Sequence, residues 1–233
     1  MRNDGDTLRP RLDEVRGRIA AAAARSGRPA GAVTLVGVTK TVAAVTVQAA
    51  VDAGLADLGE NRVQEAQAKI PVVGRARVRW HFIGHLQRNK AGRAVELFDR
   101  VHSVDDAELA EALSRHATAA GRTLPVLVEV NVGGEASKFG VAPEGLAGLL
   151  ERVAELPGLA LDGLMTVEPP VDEPEAARPA FARLRELRDE GERRLGRRLP
   201  ELSMGMSGDY EVAVEEGSTM VRLGGAIFGP RLA

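Results

Sequence analysis

The sequence predicts an α/β protein, a single parallel (β/α)8 barrel of the TIM type with one extra helix at its N-terminus. Three observations predict it. Short β-branched apolar runs alternate with amphipathic segments, which implies right-handed crossovers and a parallel sheet. Eight strand candidates can be counted, each followed by a helix except the last. A length of 233 residues is ordinary for one barrel, so residues 1–233 are read as one domain, with 1–28 as a helix packed upon it.

The elements follow in order. Leu8, Leu12, Val15 and Ile19 recur at helical spacing, and that helix ends near Gly27. Val33 to Val38 is a strand of the kind buried on both faces. A helix over Val42 to Asp52 closes at Gly54, and Leu55 to Leu58 runs into Gly59-Glu60-Asn61. A helix over Val63 to Ile70 precedes the strand Val78 to Ile83, and a helix over Lys90 to Leu97 precedes Val101 to Val104. Ser103, with Asp106 three residues on, reads as the start signal of a helix running to Ala120. The fifth strand is Val126 to Val130, and Pro143-Glu144 opens a helix carrying Leu146, Leu149, Leu150 and Val153 on one face. Leu159 to Leu164, a charged outer helix around Phe181, Leu184 and Leu187, Leu202 to Met204, a short helix over Asp209 to Glu216, and Met220 to Leu223 complete the barrel. The Pro- and acid-rich stretch Glu168 to Pro179 is a loop with a helix start and not a domain boundary.

Composition narrows the function. With 44% hydrophobic and 27% charged residues the chain reads as soluble and globular, and a formal net charge of -2 gives no reason to expect nucleic acid or an anionic membrane. There is no cysteine, which excludes disulfides, thiolate catalysis and zinc ribbons. The N-terminus shows no secretory apolar region, and no run approaches the roughly 20 residues that cross a bilayer. A cytoplasmic location and a monomeric state are expected.

Residues at the C-terminal ends of barrel strands converge on one mouth. Here they are Lys40, Glu60-Asn61, His81, Asn131, Met165-Thr166, Met204 with Ser207, and Arg222 with Gly224-Gly225. The last two loops, Met204 to Tyr210 and Arg222 to Gly229, supply glycines, a hydroxyl and a helix start where barrels commonly hold phosphate. Only four of 31 basic residues are lysines (Lys40, Lys69, Lys90 and Lys138), so a lysine ending an apolar strand is not a casual surface choice. A partly apolar mouth lowers an amine pKa and leaves a nucleophile suited to a Schiff base. The residues alone also allow Lys40 to be paired with a carboxylate such as Glu60. His81 reads as a hydrogen-bonded core histidine or a ring-pocket residue, Tyr210 as a proton donor or a buried helix residue, and Lys90 and Lys138 as solvated rim residues.

Several segments together carry a resemblance. They are Val38-Thr-Lys-Thr41, Gly59-Glu-Asn61, Trp80-His-Phe-Ile-Gly-His-Leu-Gln87 with Asn89-Lys90, Ser137-Lys138, Gly163-Leu-Met165, Met204-Gly-Met-Ser207 and Gly217 to Gly224. From Val33 to Arg231 the chain closely resembles the pyridoxal phosphate homeostasis protein family. The resemblance implies a barrel like the N-terminal domain of alanine racemase (fold type III) and pyridoxal 5'-phosphate (PLP) as cofactor, bound as an aldimine on Lys40. It implies that Ser207, Gly224 and Gly225 hold the phosphate, that Arg222 faces the pyridine nitrogen, and that Asn61, His81 and Met204 line the ring pocket. Gly225 stands where a threonine or serine is expected, so a hydroxyl contact to the phosphate is lost.

Three readings follow. The first is a non-catalytic PLP carrier or regulator acting in intracellular vitamin B6 homeostasis, with apo PLP-dependent enzymes as receivers. An arginine at the pyridine nitrogen disfavours the protonated ring and weakens the electron sink. No further domain is expected after the last strand, so the second base that such a domain gives alanine racemases is not expected either. The second reading is an amino-acid racemase or lyase with Lys40 or Tyr210 as proton carrier. The third is a barrel aldolase with a phosphorylated substrate, supported only by Lys40 and the phosphate loops.

Overall fold

The computed structural model describes residues 4–135, 138–169 and 171–229. Ser137 and Arg231, both within the resemblance, lie outside the described residues.

Eight parallel strands form a closed barrel in sequence order: β1 (Thr34–Val38), β2 (Asp57–Glu60), β3 (Arg79–Phe82), β4 (Arg100–Val104), β5 (Leu124–Glu129), β6 (Leu159–Met165), β7 (Glu201–Ser203) and β8 (Met220–Leu223). Closure is made by β8 against β1, with Val36 opposite Arg222 and Gly37 opposite Leu223. The helices around it are α2 (Ala44–Asp52), α3 (Val63–Val73), α4 (Ala91–Leu97), α5 (Ala107–Ala119), α6 (Pro143–Glu155), α7 (Arg178–Leu195), α8 (Tyr210–Glu215) and α9 (Gly225–Phe228). None of the described helices is long and apolar enough to cross a membrane.

The extra helix α1 (Asp4–Arg25) precedes the barrel. It buries Leu8, Leu12, Val15, Ile19, Ala22 and Ala23 and packs across α2, α8 and α9, so it bridges the first and last units. Ion pairs from Arg18 and Arg25 to Glu211 and Glu215 fix it on α8. One cap differs from expectation. Asp106 itself caps α5, accepting from the Leu109 N–H at 2.6 Å, while Ser103 is buried within β4 and its hydroxyl meets no described partner. The strand runs one residue further than a capping box at Ser103 would allow.

The strands alternate in what they present. Trp80 and Phe82 face the helices and join the continuous apolar cluster, with Phe82 edge-on to Phe98 at 5.1 Å. Val36, Val38, Ile83, Leu127, Met165 and Met220 are buried outside that cluster, as expected for side chains turned into the lumen. Asp57, His81, His102, Ser203 and Arg222 are buried with them, so this lumen is unusually polar. Gly163 permits the tight β6–β7 pairing, because a Cβ there would stand 1.8 Å from the Glu201 carbonyl oxygen.

Candidate functional site

β1 delivers Lys40 to the mouth. The Thr39 N–H still bonds the Gly59 carbonyl at 3.0 Å, after which the chain turns sharply, with Thr41 at φ +63°. A β-branched residue in the left-handed region is strained and persists only where its surroundings fix it. They do so here. The buried Lys69 ammonium donates to the Thr39 carbonyl (2.6 Å), Glu60 Oε1 (2.7 Å) and Glu65 Oε2 (2.9 Å). Glu65 Oε2 also accepts from the Thr41 N–H (2.9 Å), and Glu60 Oε1 from the Thr39 hydroxyl (2.5 Å). Glu60, the carboxylate considered as a partner for Lys40, is thus engaged by Lys69. Burial pushes its carboxyl above the usual range, against the bonds from Lys69 and Thr39.

Lys40 lines a cavity of about 530 Å³ together with Asn61, Met206, Ser207, Arg222, Gly224 and Gly225. Beside Lys40, the last two barrel loops complete the wall, since β8 is the neighbour of β1. Asp209 accepts from the Met206 N–H at 2.6 Å, the Arg222 N–H bonds the Gly205 carbonyl at 3.0 Å, and the Ala226 N–H donates to the Ser207 hydroxyl at 3.3 Å. At Gly225 the space is open, since the nearest heavy atom to a Cβ would be Ser207 Oγ at 4.0 Å. Asn61 Oδ1 is buried and meets no hydrogen-bond donor among the described residues. An open glycine cradle beside a hydroxyl, a primary amine and an acceptor awaiting a donor fit a group with an anionic end and a carbonyl end.

Arg222 forms the floor. Its guanidinium donates to Ser203 Oγ at 2.7 Å and to the Thr166 carbonyl at 2.7 Å. Burial lowers its pKa to about 10, against the pull of Glu129 and Asp209, so at neutral pH it is still a cation. Below it, Ser203 Oγ contacts His102 Nδ1 (2.9 Å), His102 Nε2 contacts His81 Nδ1 (2.9 Å), and His81 Nε2 contacts Asp57 Oδ1 (2.9 Å). Asp57 is chelated by Arg79 at 2.6 and 2.7 Å. Despite burial, the bonds from His81 and Arg79 hold the Asp57 carboxyl at about 2. Burial, and then the charges of His81 and Arg222, hold His102 neutral.

Six of the eight residues expected at the site meet around the one cavity: Lys40, Asn61, Ser207, Arg222, Gly224 and Gly225. His81 and Met204 lie elsewhere. His81 turns into the lumen and lines an opening at the N-terminal end of the barrel, and Met204 is fully buried in the apolar cluster. Gly205, at φ +96°, reverses the chain just after Met204, so Met206 meets the cavity instead. Tyr210 is buried, with the Arg18 guanidinium 5.5 Å from its ring centroid, and does not line the cavity. Lys138 pairs with Glu135 at 2.8 Å. Glu129, overlooked in the sequence, closes an otherwise apolar β5. Burial, and then Asp105, push its carboxyl up to about 7, with Arg222 opposing.

The comparisons with known proteins agree with this geometry. Residues 11–231 match the family model of the alanine racemase N-terminal domain. The chain is 45% identical over 221 residues to the pyridoxal phosphate homeostasis protein of Aquifex aeolicus, covering 95% of this chain and 97% of that one. The protein of the same name from Pseudomonas aeruginosa is 46% identical over 225 residues, covering 97% and 96%. Among solved structures, PipY of Synechococcus elongatus with PLP bound superposes with a TM-score of 0.79 at 38% identity, covering 91% of this chain and 100% of that one. With near-complete coverage in both directions and the fold shared, the chain belongs to the pyridoxal phosphate homeostasis protein family.

Proposed function

We propose that this protein is a non-catalytic PLP-binding protein acting in intracellular vitamin B6 homeostasis, with Lys40 as the reversible covalent tether. One observation carries the reading. A single cavity is lined by a primary amine, a hydroxyl-and-glycine cradle and a buried guanidinium. When bound, PLP supplies an aldehyde for an amine and a phosphate dianion for the cradle. Lys40 supplies the amine. Ser207 and the backbone N–H groups of Gly224 and Gly225 take the phosphate, Arg222 faces the ring nitrogen and cannot accept its proton, and Asn61 Oδ1 accepts a hydrogen at the wall. The name of PipY with PLP bound and the names of the curated relatives support the same cofactor.

The one carboxylate that lines the cavity among the described residues, Asp209, is engaged by the Met206 N–H, which favours a carrier over a racemase or lyase. Tyr210, the candidate proton carrier, is buried under α1 with Arg18 beside its ring, and its hydroxyl has no hydrogen-bond partner among the described residues. Cytoplasmic location, a monomeric state and delivery to apo PLP-dependent enzymes belong to this proposal. Borohydride reduction of the PLP-saturated protein followed by peptide mapping should place a pyridoxyl group on Lys40, and Lys40→Ala should lose the adduct entirely. An unmodified Lys40 in saturated protein would sink the proposal. Amino-acid α-proton exchange by wild type, lost in Lys40→Ala, would favour the enzyme reading instead.

A further inference from the structure

A second cavity of about 800 Å³ shares Lys40 and Asn61 with the first and opens between the loops that follow β2 and β3. Its polar lining includes Arg62, Gln64, Glu65, His85, Gln87 and Lys90. The charge balance is positive. Lys40, Arg62 and Lys90 face one carboxylate, Glu65, whose Oε2 already accepts from Lys69 and from the Thr41 N–H. Arg62 and Lys90 make no side-chain hydrogen bond or ion pair with any described residue. The N-terminus of α3 opens here without a side-chain cap. On the wall common to both cavities, Asn61 Oδ1 is buried and lacks a donor among the described residues. The cavity is therefore lined by cations, by the Lys40 amine and by a buried acceptor. That is the complement of a molecule carrying a carboxylate and an amine.

We propose that this cavity binds a small α-amino acid, its carboxylate held by Lys90 and Arg62 and its amine directed by Asn61 toward Lys40. What the bound amino acid does there rests on the function proposed above. Its nitrogen forms a bond to the cofactor carbon that Lys40 holds, and the bond from that carbon to Lys40 Nζ breaks. The incoming amine gives its protons to the departing lysine nitrogen, so one C=N bond replaces another and no further reagent is consumed. Arg62 and Lys90 make this exchange selective for an amine that carries an adjacent carboxylate. A lysine side chain of another protein has no such carboxylate and gains nothing from them. The tether is thus one that a free amino acid can release.

The test uses L-alanine, with ethylamine and propionate as its two halves. In equilibrium dialysis, labelled L-alanine should bind the protein stripped of PLP and be displaced by propionate. Lys90→Ala and Arg62→Ala should each weaken that binding roughly tenfold, the scale of one charge-assisted hydrogen bond. In the PLP-loaded protein, release followed by absorbance should be faster with L-alanine than with ethylamine. Each variant should lose about the same factor from the L-alanine rate, while spontaneous release and circular dichroism stay at wild-type values. Equal effectiveness of ethylamine and L-alanine, or variants that bind L-alanine as wild type does, would overturn the proposal. Because the dialysis needs no PLP, it reads the cavity even if the protein proves unable to load the cofactor.

Discussion

The two ends of the barrel treat polar atoms in opposite ways. At the N-terminal end, Arg79 chelates Asp57, Arg100 bridges Asp162 (2.9 Å) and Glu201 (3.0 Å), and Arg75 grips Asp99 at 2.7 and 2.8 Å. At the mouth, Glu60 Oε2, Asn61 Oδ1 and Asn131 Oδ1 are buried with no hydrogen-bond partner among the described residues. An unpaired buried polar atom costs about 1–3 kcal/mol, so natural folds keep few of them. Trp80 Nε1 and the Ser103 and Tyr210 hydroxyls are unpartnered among the described residues too, but of these six atoms only Asn61 Oδ1 lines the cavity, so the base is closed by its ion pairs while the mouth keeps an acceptor for what it binds.

The largest expected effect comes from the mouth. Glu129 titrates near 7 in the folded protein and at its ordinary value of 4.5 when unfolded. Between those values the folded state holds a proton that the unfolded chain has released, so stability falls as pH rises through that window. Glu129→Gln removes this loss. Its advantage over wild type in denaturant unfolding, measured without PLP, should grow by up to about 3 kcal/mol from the acid to the alkaline side of the window. A constant difference across pH would break the assignment of that cost to the mouth.

A smaller effect of opposite sign is expected at the base. Arg100→Ala strands Asp162 and Glu201 and should cost about 2 kcal/mol of unfolding free energy. The PLP dissociation constant should stay within about threefold of wild type if the two ends divide their duties as argued. A larger change in binding than in stability would collapse the comparison. The smallest effect is expected in the cradle. Gly225→Ser points a hydroxyl into the space where the nearest heavy atom is Ser207 Oγ at 4.0 Å. It should tighten PLP about threefold in a fluorescence titration, and a weakening would show that the cradle is already filled by the phosphate.

Much of this was legible in the sequence, and the rest was hidden for identifiable reasons. The strands could be located because both their faces are buried, which makes apolar runs such as Val36 to Val38 stand out. Lys40 could be placed because it follows such a run almost directly. Ser207, Gly224 and Gly225 could be grouped because the phosphate end of a barrel depends on loop position, which counting strands supplies. The clamp on the lysine-bearing turn could not be read, because Lys69 reaches the Thr39 carbonyl from 30 residues away. Met204 and Met206 were indistinguishable until the positive φ of Gly205 decided which one meets the cavity. His81 sits at a strand end in the chain, but the alternation of β3 turns it into the lumen toward Asp57. Glu129 did leave a signal, a carboxylate ending an apolar strand, and it was passed over.

The contacts from Arg222 through Ser203, His102 and His81 to Asp57 also have two unlike ends. A guanidinium can only give hydrogens and an ionised carboxylate can only receive them. His102, held neutral, carries a single ring hydrogen, so its tautomer is coupled to the rotor of Ser203 on one side and to the ring of His81 on the other. A cation at the ligand's floor is thereby linked, through this line of contacts, to a carboxylate at the opposite pole of the molecule. The barrel wall is a compass needle as well as a container, and Asp57 is its far tip.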